Sequence, residues 1–405
     1  MKPNRILLLA LALASATAFA AERNLSLLPA AGGDQVPGVL VAASTKVAAS
    51  LERAPAQFSW AIPSDENLVA PQPQVRESRE YWTRASAAEL EHGFALHTTA
   101  PGALVRLSPV EGAAKAALNL DQVEIRKGGA AYGKRTAMAQ AADGAQLEAA
   151  GASFPEGTIA FKLREEIGAG ELRIAVAKAT GSYLVHVFEP HSDRVLRLGA
   201  DRDTALAQGE LAIKASYQGA ASVDAIAGVL TSPSGRNIDL EFARQDDGTY
   251  VARVSPPLEA ASGPALWEVH TFASAEGGAV QRDAKTVVAV AVPSARLDGS
   301  AGVAKAGASE RAFAFGVEVK SASRYELRGV LYATSEAGVL VPAAVAHAAA
   351  WLEPGQRRIE LRYDAAALAD GPWRAPFEVR DLVLANQADM APIERRGRAL
   401  RSEAR

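Results

Sequence analysis

The sequence contains no cysteine. Disulfides, thiolate metal sites and a cysteine nucleophile are therefore excluded, and stability must come from burial and hydrogen bonding. Histidine is scarce: the six residues are scattered as His92, His97, His186, His191, His270 and His347. Aromatic residues make up 6% of a chain that is 49% hydrophobic, so its cores must rely on Val, Leu, Ile and a few Trp. Neither sign of charge is in excess. With 43 basic and 46 acidic residues the net charge is -3, and no global positive field favours a nucleic-acid partner. The short catalytic and phosphate-binding motifs H-E-x-x-H, G-x-S-x-G, G-x-x-x-x-G-K and G-x-G-x-x-G are missing, and Gly133-Lys134-Arg135-Thr136 lacks a preceding glycine loop.

Long apolar runs are also missing, apart from the leader. Lys2 and Arg5 precede the apolar run Ile6 to Ala14, and Ala18-Phe19-Ala20 forms an A-x-A cleavage site. This pattern predicts a signal peptide over residues 1–20, cut after Ala20. The run is too short for a bilayer of about 30 Å, so the mature chain is expected to carry no transmembrane anchor and to reside in the periplasm or outside the cell. No cysteine follows to accept a lipid. Asn24-Leu25-Ser26 matches the glycosylation triplet but stands behind a bacterial-type leader.

What the chain does contain is a repeated strand-like hexapeptide: Tyr183 to Phe188 (YLVHVF), Trp267 to Phe272 (WEVHTF) and Phe377 to Leu382 (FEVRDL). Each follows a glycine turn, at Gly181-Ser182, Gly263-Pro264 and Gly371-Pro372. Period-two alternation places the aromatic residue and the valine on one face, and His186, His270 or Arg380 on the other. The copies start 84 and 110 residues apart, which suits sandwiches of about 100 residues with an aromatic anchor at the entry to a late strand.

The pattern predicts an all-β chain of three tandem immunoglobulin-like β-sandwich modules. Residues 21–94 read as an extended, proline-rich N-terminal segment in which Gln57 to Ile62 alternates as a strand. Ser86-Ala87-Ala88-Glu89 is a capping box for a short helix stopped by Gly93. The first module is expected over residues 95–200, with a short helical insertion between 130 and 152. The second follows over 201–297, entered through a linker at Asp201 to Gln208. It contains a hairpin in which Ile238 to Phe242 returns through Asp246-Asp247-Gly248 to Tyr250–Val254. A third module is expected over 298–394, after a link at Gly299 to Gly307. Residues 395–405, with Arg395, Arg396, Arg398, Arg401 and Arg405, read as a solvated basic tail, with an anionic lipid or polysaccharide as the alternative contact.

Glu80-Tyr81-Trp82 with Gly93, Ala100 to Pro109, Val185 to Pro190, Thr231-Ser232-Pro233 and Asp247 to Tyr250 come in an order that resembles a family of secreted proteobacterial proteins, domain of unknown function 4785. The second module also resembles immunoglobulin-like accessory domains of exported bacterial proteins. The resemblance implies export and sandwich domains and carries over no catalytic residues.

Candidate chemistry centres on His186, Glu189, His191 and Asp193, two imidazoles and two carboxylates of the kind that ligate zinc. The recurrence of His186 as His270 and Arg380 favours the outer face of a repeated strand instead. Asp201 with Asp203, or Asp246 and Asp247 with Asp283, are candidate calcium ligands, although turns already account for such acidic pairs. No cofactor is expected. Trp60, Trp82 and Trp351 are the candidate partner-binding aromatics. The sequence thus points to an exported, non-enzymatic modular protein that binds a protein or polysaccharide. The alternative is an exported hydrolase or metal-binding protein with a site near His186, Glu189 and His191.

Overall fold

Alternating strands dominate the computed structural model, which describes residues 23–42, 51–69, 71–110, 118–259 and 265–403. The predicted leader and the Gly263-Pro264 turn lie outside the described residues. Six mostly antiparallel sheets form tandem β-sandwiches, with few and short helices. The chain divides into two compact units, one of residues 69–292 and one of residues 1–68 with 293–405.

The 69–292 unit holds two sandwiches. In the first, a five-stranded sheet ordered Glu80–Ser86, Ser182–Phe188, Leu104–Pro109, Ile159–Leu163 and Met138–Ala142 faces a four-stranded sheet built around Gly170–Val176. Tyr183, Val185, Phe161, Leu107 and Ile125 lie in its core. Ser86 and Glu89 form the expected capping box on the helix Ala87–His92, which ends at Gly93. The helical insertion is present as Lys134–Ala137 and Gly144–Ala149, the latter started by a second capping box, Asp143 with Gln146.

The second sandwich closes around Trp267, Val269, Leu196, Leu211 and Ile213. Its membership departs from the expected boundaries. Val195–Ala200 pairs with Leu211–Gln218 and with Val75–Ser78, so a strand assigned to the first module and part of the N-terminal segment both belong to the second. The linker at Asp201 to Gln208 contains a strand, Thr204–Leu206, running parallel to Val280–Ala291. The hairpin is shorter than expected. Asn237–Glu241 joins one sheet beside Val223–Thr231, and only Ala243–Arg244 returns to Tyr250–Val254 in the other. The strand changes sheets at the half-buried Phe242, and alternation alone does not reveal which partner each half takes. The aspartate-glycine turn itself forms as predicted. Thr249 N donates to Asp247 Oδ1 at 2.9 Å, and Gly248 sits at φ 81°.

The other unit is a single sandwich with contributions from both ends of the sequence. Its four-stranded sheet runs Arg23–Ser26, Ala295–Val303, Arg311–Val319, Gly355–Tyr363. Its five-stranded sheet runs Ala56–Ala61, Leu340–Leu352, Ser323–Thr334, Arg374–Asn386, Ala391–Ser402. Two parts of the N-terminal segment are therefore paired strands, and Gly299 to Val303 of the expected link is also strand. Gly329 sits where a side chain has no room: a Cβ there would lie 2.9 Å from Val379 and 3.1 Å from Leu382 of the adjacent strand and 3.0 Å from Leu361 of the facing sheet.

The basic tail requires correction, because residues through Ser402 form an edge strand rather than a frayed end. Arg396, Arg398 and Arg401 meet carboxylates that charge counting along the sequence does not locate. Arg396 bridges the buried Glu394 at 2.7 Å, and Glu378 binds Arg398 and Arg401.

Candidate functional site

Strand Ala56–Ala61 has its polarity inverted. An edge strand on a sandwich ordinarily turns apolar residues inward and polar ones to solvent. Here Ser59 Oγ accepts from Asp364 N at 3.0 Å and Gln57 Nε2 donates to Glu360 O at 3.3 Å, so the polar side chains face the neighbouring sheet. Phe58 and Trp60 point outward, 52% and 49% exposed. Their rings stack 5.5 Å apart with planes 6° from parallel, and His347 of the adjoining strand stacks on both at 5.0 and 5.2 Å.

This aromatic face is held in place from below. His347 Nδ1 lies 2.6 Å from Glu326 Oε1, whose other oxygen accepts from Gln387 Nε2 at 2.8 Å. Gln387 Oε1 accepts from Arg324, and Arg324 donates to the carbonyls of Glu52 and Ala54, which lead into the aromatic strand. Beside the rings opens a cleft of about 130 Å³ bordered by Glu326, Arg328, Asn386, Gln387 and Met390. Planar rings with fixed polar neighbours suit a ligand that has both apolar faces and hydroxyl or carboxyl edges.

Of the three candidate tryptophans, Trp60 forms this stack, whereas Trp351, four residues from His347 on the same face of its strand, lies outside it. Trp351 is covered by the Arg53 guanidinium, 4.2 Å from its ring, and its Nε1 donates to Glu353. Trp82 lies in the 69–292 unit, at the joint of its two sandwiches. It stacks on His186 at 4.7 Å and meets His270 edge-on at 6.1 Å, so the equivalent histidines of two hexapeptides converge on one indole. His270 lies 3.9 Å from Asp283, whose carboxylate accepts from Trp82 N at 2.9 Å. Burial pushes His270 down to about 4 and Asp283 up to about 6.

The zinc-type constellation is not assembled. His186 Nε2 is 2.7 Å from Glu80, while Glu189, three residues on and of opposite parity, is fully buried against Arg282. His191 and Asp193 are exposed. Asp201 is held by Arg202 and Ala212 N, Asp247 caps its own turn, and Asp283 lies in the Trp82 joint. Among the described residues no three His, Asp or Glu side chains gather at metal-binding distance, and no helix is long and apolar enough to cross a membrane.

The N-terminal domain of the family described as domain of unknown function DUF4785 matches residues 47–189, and its C-terminal domain matches residues 294–403. This chain belongs to the DUF4785 family. A solved structure of a DUF4785 family protein from Legionella pneumophila is similar to it with a TM-score of 0.68 at 20% identity, covering 92% of this chain and 98% of that one. The shared feature is the fold. A tetra-tandem repeat from the extending region of a large adhesion protein gives a TM-score of 0.18 at 13% identity, covering 71% of this chain and 66% of that one. A Salmonella alpha-2-macroglobulin reacted with methylamine gives 0.23 at 12% identity, covering 84% and 24%. Both likenesses are too slight to bear on fold or function. No protein of curated function matches the chain.

Sequence reasoning missed Phe58, Glu326, Arg328 and His347 as members of this candidate face. The alternation of Phe58 and Trp60 was visible, but its inverted orientation depends on partners near residues 347 and 364.

Proposed function

We propose that this DUF4785 chain is an exported, non-enzymatic protein that binds a polysaccharide through the outer face of the five-stranded sheet in its 1–68 and 293–405 unit. The observation that carries the reading is the inverted strand. Two large aromatic side chains remain half-exposed and mutually stacked on an edge where burial was available to them. Pyranose rings present apolar C–H faces to such surfaces, and desolvating an aromatic anchor is the usual source of strong local binding.

Affinity electrophoresis and calorimetry of the mature chain against cell-wall and plant-type polysaccharides test this reading. Binding is expected to quench tryptophan fluorescence and to weaken about tenfold or more in Trp60→Ala and Phe58→Ala. Unchanged thermal unfolding in both variants would show that the loss is local. Failure of every polysaccharide to bind, or equal binding by the variants, would overturn the proposal. Export is tested separately by N-terminal sequencing of the protein from the periplasm and medium, with Ala21 expected as the first residue.

A further inference from the structure

The register of the five-stranded sheet carries two rows across its outer face. One runs Phe58, His347, Arg328, Val383, Arg395, and the other runs Trp60, Val345, Val330, Arg380, Arg398. Directly paired residues project to the same face, so each row begins in an exposed aromatic ring on one edge and ends in an arginine on the other. We propose that the polysaccharide bound here is anionic, lying across the strands with sugar faces on Phe58 and Trp60 and its carboxylates on the arginines. This rests on the polysaccharide reading above and adds the charge of the ligand.

Three observations support it. First, Arg328 borders the cleft beside the rings and makes no hydrogen bond or ion pair among the described residues. A guanidinium in that position offers a planar fork matched to a carboxylate. Second, the opposite edge is over-supplied with cations. The single buried carboxylate of Glu378 is shared by Arg380 at 2.7 Å, Arg398 at 2.7 Å and Arg401 at 3.2 Å. Arg401 also pairs with the exposed Glu403 at 2.9 Å, whereas Arg398 remains 57% exposed with only the 1% exposed Glu378 as its carboxylate among the described residues, so Arg398 is the cation this cluster presents to solvent. Third, the acidic group nearest the rings is already engaged, since Glu326 is held by His347 and Gln387. Asp381, half-buried at a bulge, is the one carboxyl drawn by both Arg328 and Arg380, and burial raises it against that pull. Adjacent strands lie about 4.8 Å apart. Aromatic edge and Arg328 are thus two strand spacings from one another, roughly the span of a disaccharide.

The probes are polygalacturonate, the same polymer after chemical reduction of its carboxyls, and phosphatidylglycerol vesicles, each tested with the full mature chain. Wild type is expected to bind polygalacturonate at least tenfold more tightly than the reduced polymer, and to lose that margin as salt rises. Arg328→Gln combined with Arg398→Gln is expected to remove the margin and leave binding to the reduced polymer within about twofold. Equal binding of the two polymers by wild type, or an unchanged margin in the double variant, would overturn the anionic ligand and leave the aromatic face standing. Loss of all polymer binding would sink both readings. Arginine-dependent binding to vesicles alone would replace the glycan with a lipid surface.

Discussion

In the 69–292 unit, Arg282 and Glu189 join the two sandwiches through an ion pair with both side chains 0% exposed and 2.6 Å apart. Arg282 also donates to Arg194 O, Gln281 O, Thr99 Oγ1 and Ser192 Oγ at 2.7 to 2.9 Å. Glu189 accepts from the backbone N–H groups of Thr99 and Ala100 and from the Thr99 hydroxyl. Replacing Arg282 with Met keeps the volume roughly constant but leaves a buried carboxylate with no cation and two backbone carbonyls without donors. Breaking a buried pair in this way costs about 3–5 kcal/mol. For a unit of this size about 1 kcal/mol moves the midpoint by 2–4 °C, so Arg282→Met should lower the transition of this unit by roughly 6–20 °C. Glu189→Gln combined with Arg282→Met should recover about 1–3 kcal/mol relative to the sum of the single changes, because the two sites share one network. Differential scanning calorimetry resolves the transition, and hydrogen exchange in peptides covering Val75–Ser86 and Ser182–Ala200 assigns it to the joint. A shift below about 2 °C for Arg282→Met, or strict additivity in the double variant, would refute the reasoning.

Gly329→Ala places a methyl 2.9 Å from Val379 and 3.0 Å from Leu361, so it should destabilise the other unit by about 1–3 kcal/mol, read as a lower midpoint with the 69–292 transition unmoved. The Trp82 joint should respond to pH in two opposed ways. His270 titrates near 4 in the fold against 6.5 unfolded, so the stability it contributes above 6.5 is lost as pH falls toward 4. Asp283 titrates near 6 against 3.8, so its contribution is present below 3.8 and lost as pH rises through 6. Thermal midpoints of His270→Gln between pH 4 and 7 should show less loss toward acid than wild type, and those of Asp283→Asn less loss toward neutrality. Parallel curves for both variants would contradict the assignment.

Much of the fold was legible because strand periodicity is local. Tyr183, Val185, Trp267, Val269, Phe377 and Val379 are buried, as alternation required. The cap at Ser86 and the turn at Asp247-Gly248 formed because a few adjacent residues specify them. Strand partnership was not legible, because a half-buried strand reads the same in any sheet. Val195–Ala200 therefore went to the wrong sandwich, and Arg23–Ser26 was left in the N-terminal segment. Arg398 and Arg401 looked like parts of a solvated tail because the carboxylate they share, Glu378, lies on the preceding strand and is buried. For the candidate site, Trp60 could be named from the sequence, but the direction in which it points is set by Ser59 and Asp364. Likewise the parity of His186 and His270 was readable, whereas their meeting on Trp82 required two sandwiches to be placed together.

Strand Ala56–Ala61 is completed by Leu340–Leu352, and Arg23–Ser26 by Ala295–Val303, with the whole 69–292 unit between them in sequence. A ribosome delivers these early strands long before the strands they pair with. Until those later strands exist the early ones have no partners, and Phe58 and Trp60 have no His347 to stack on. The stacked face of Phe58, His347 and Trp60 therefore comes into being only when synthesis has passed residue 347. A chain that stops short has the inserted unit but no such face, so the face reports that the last sandwich has been delivered.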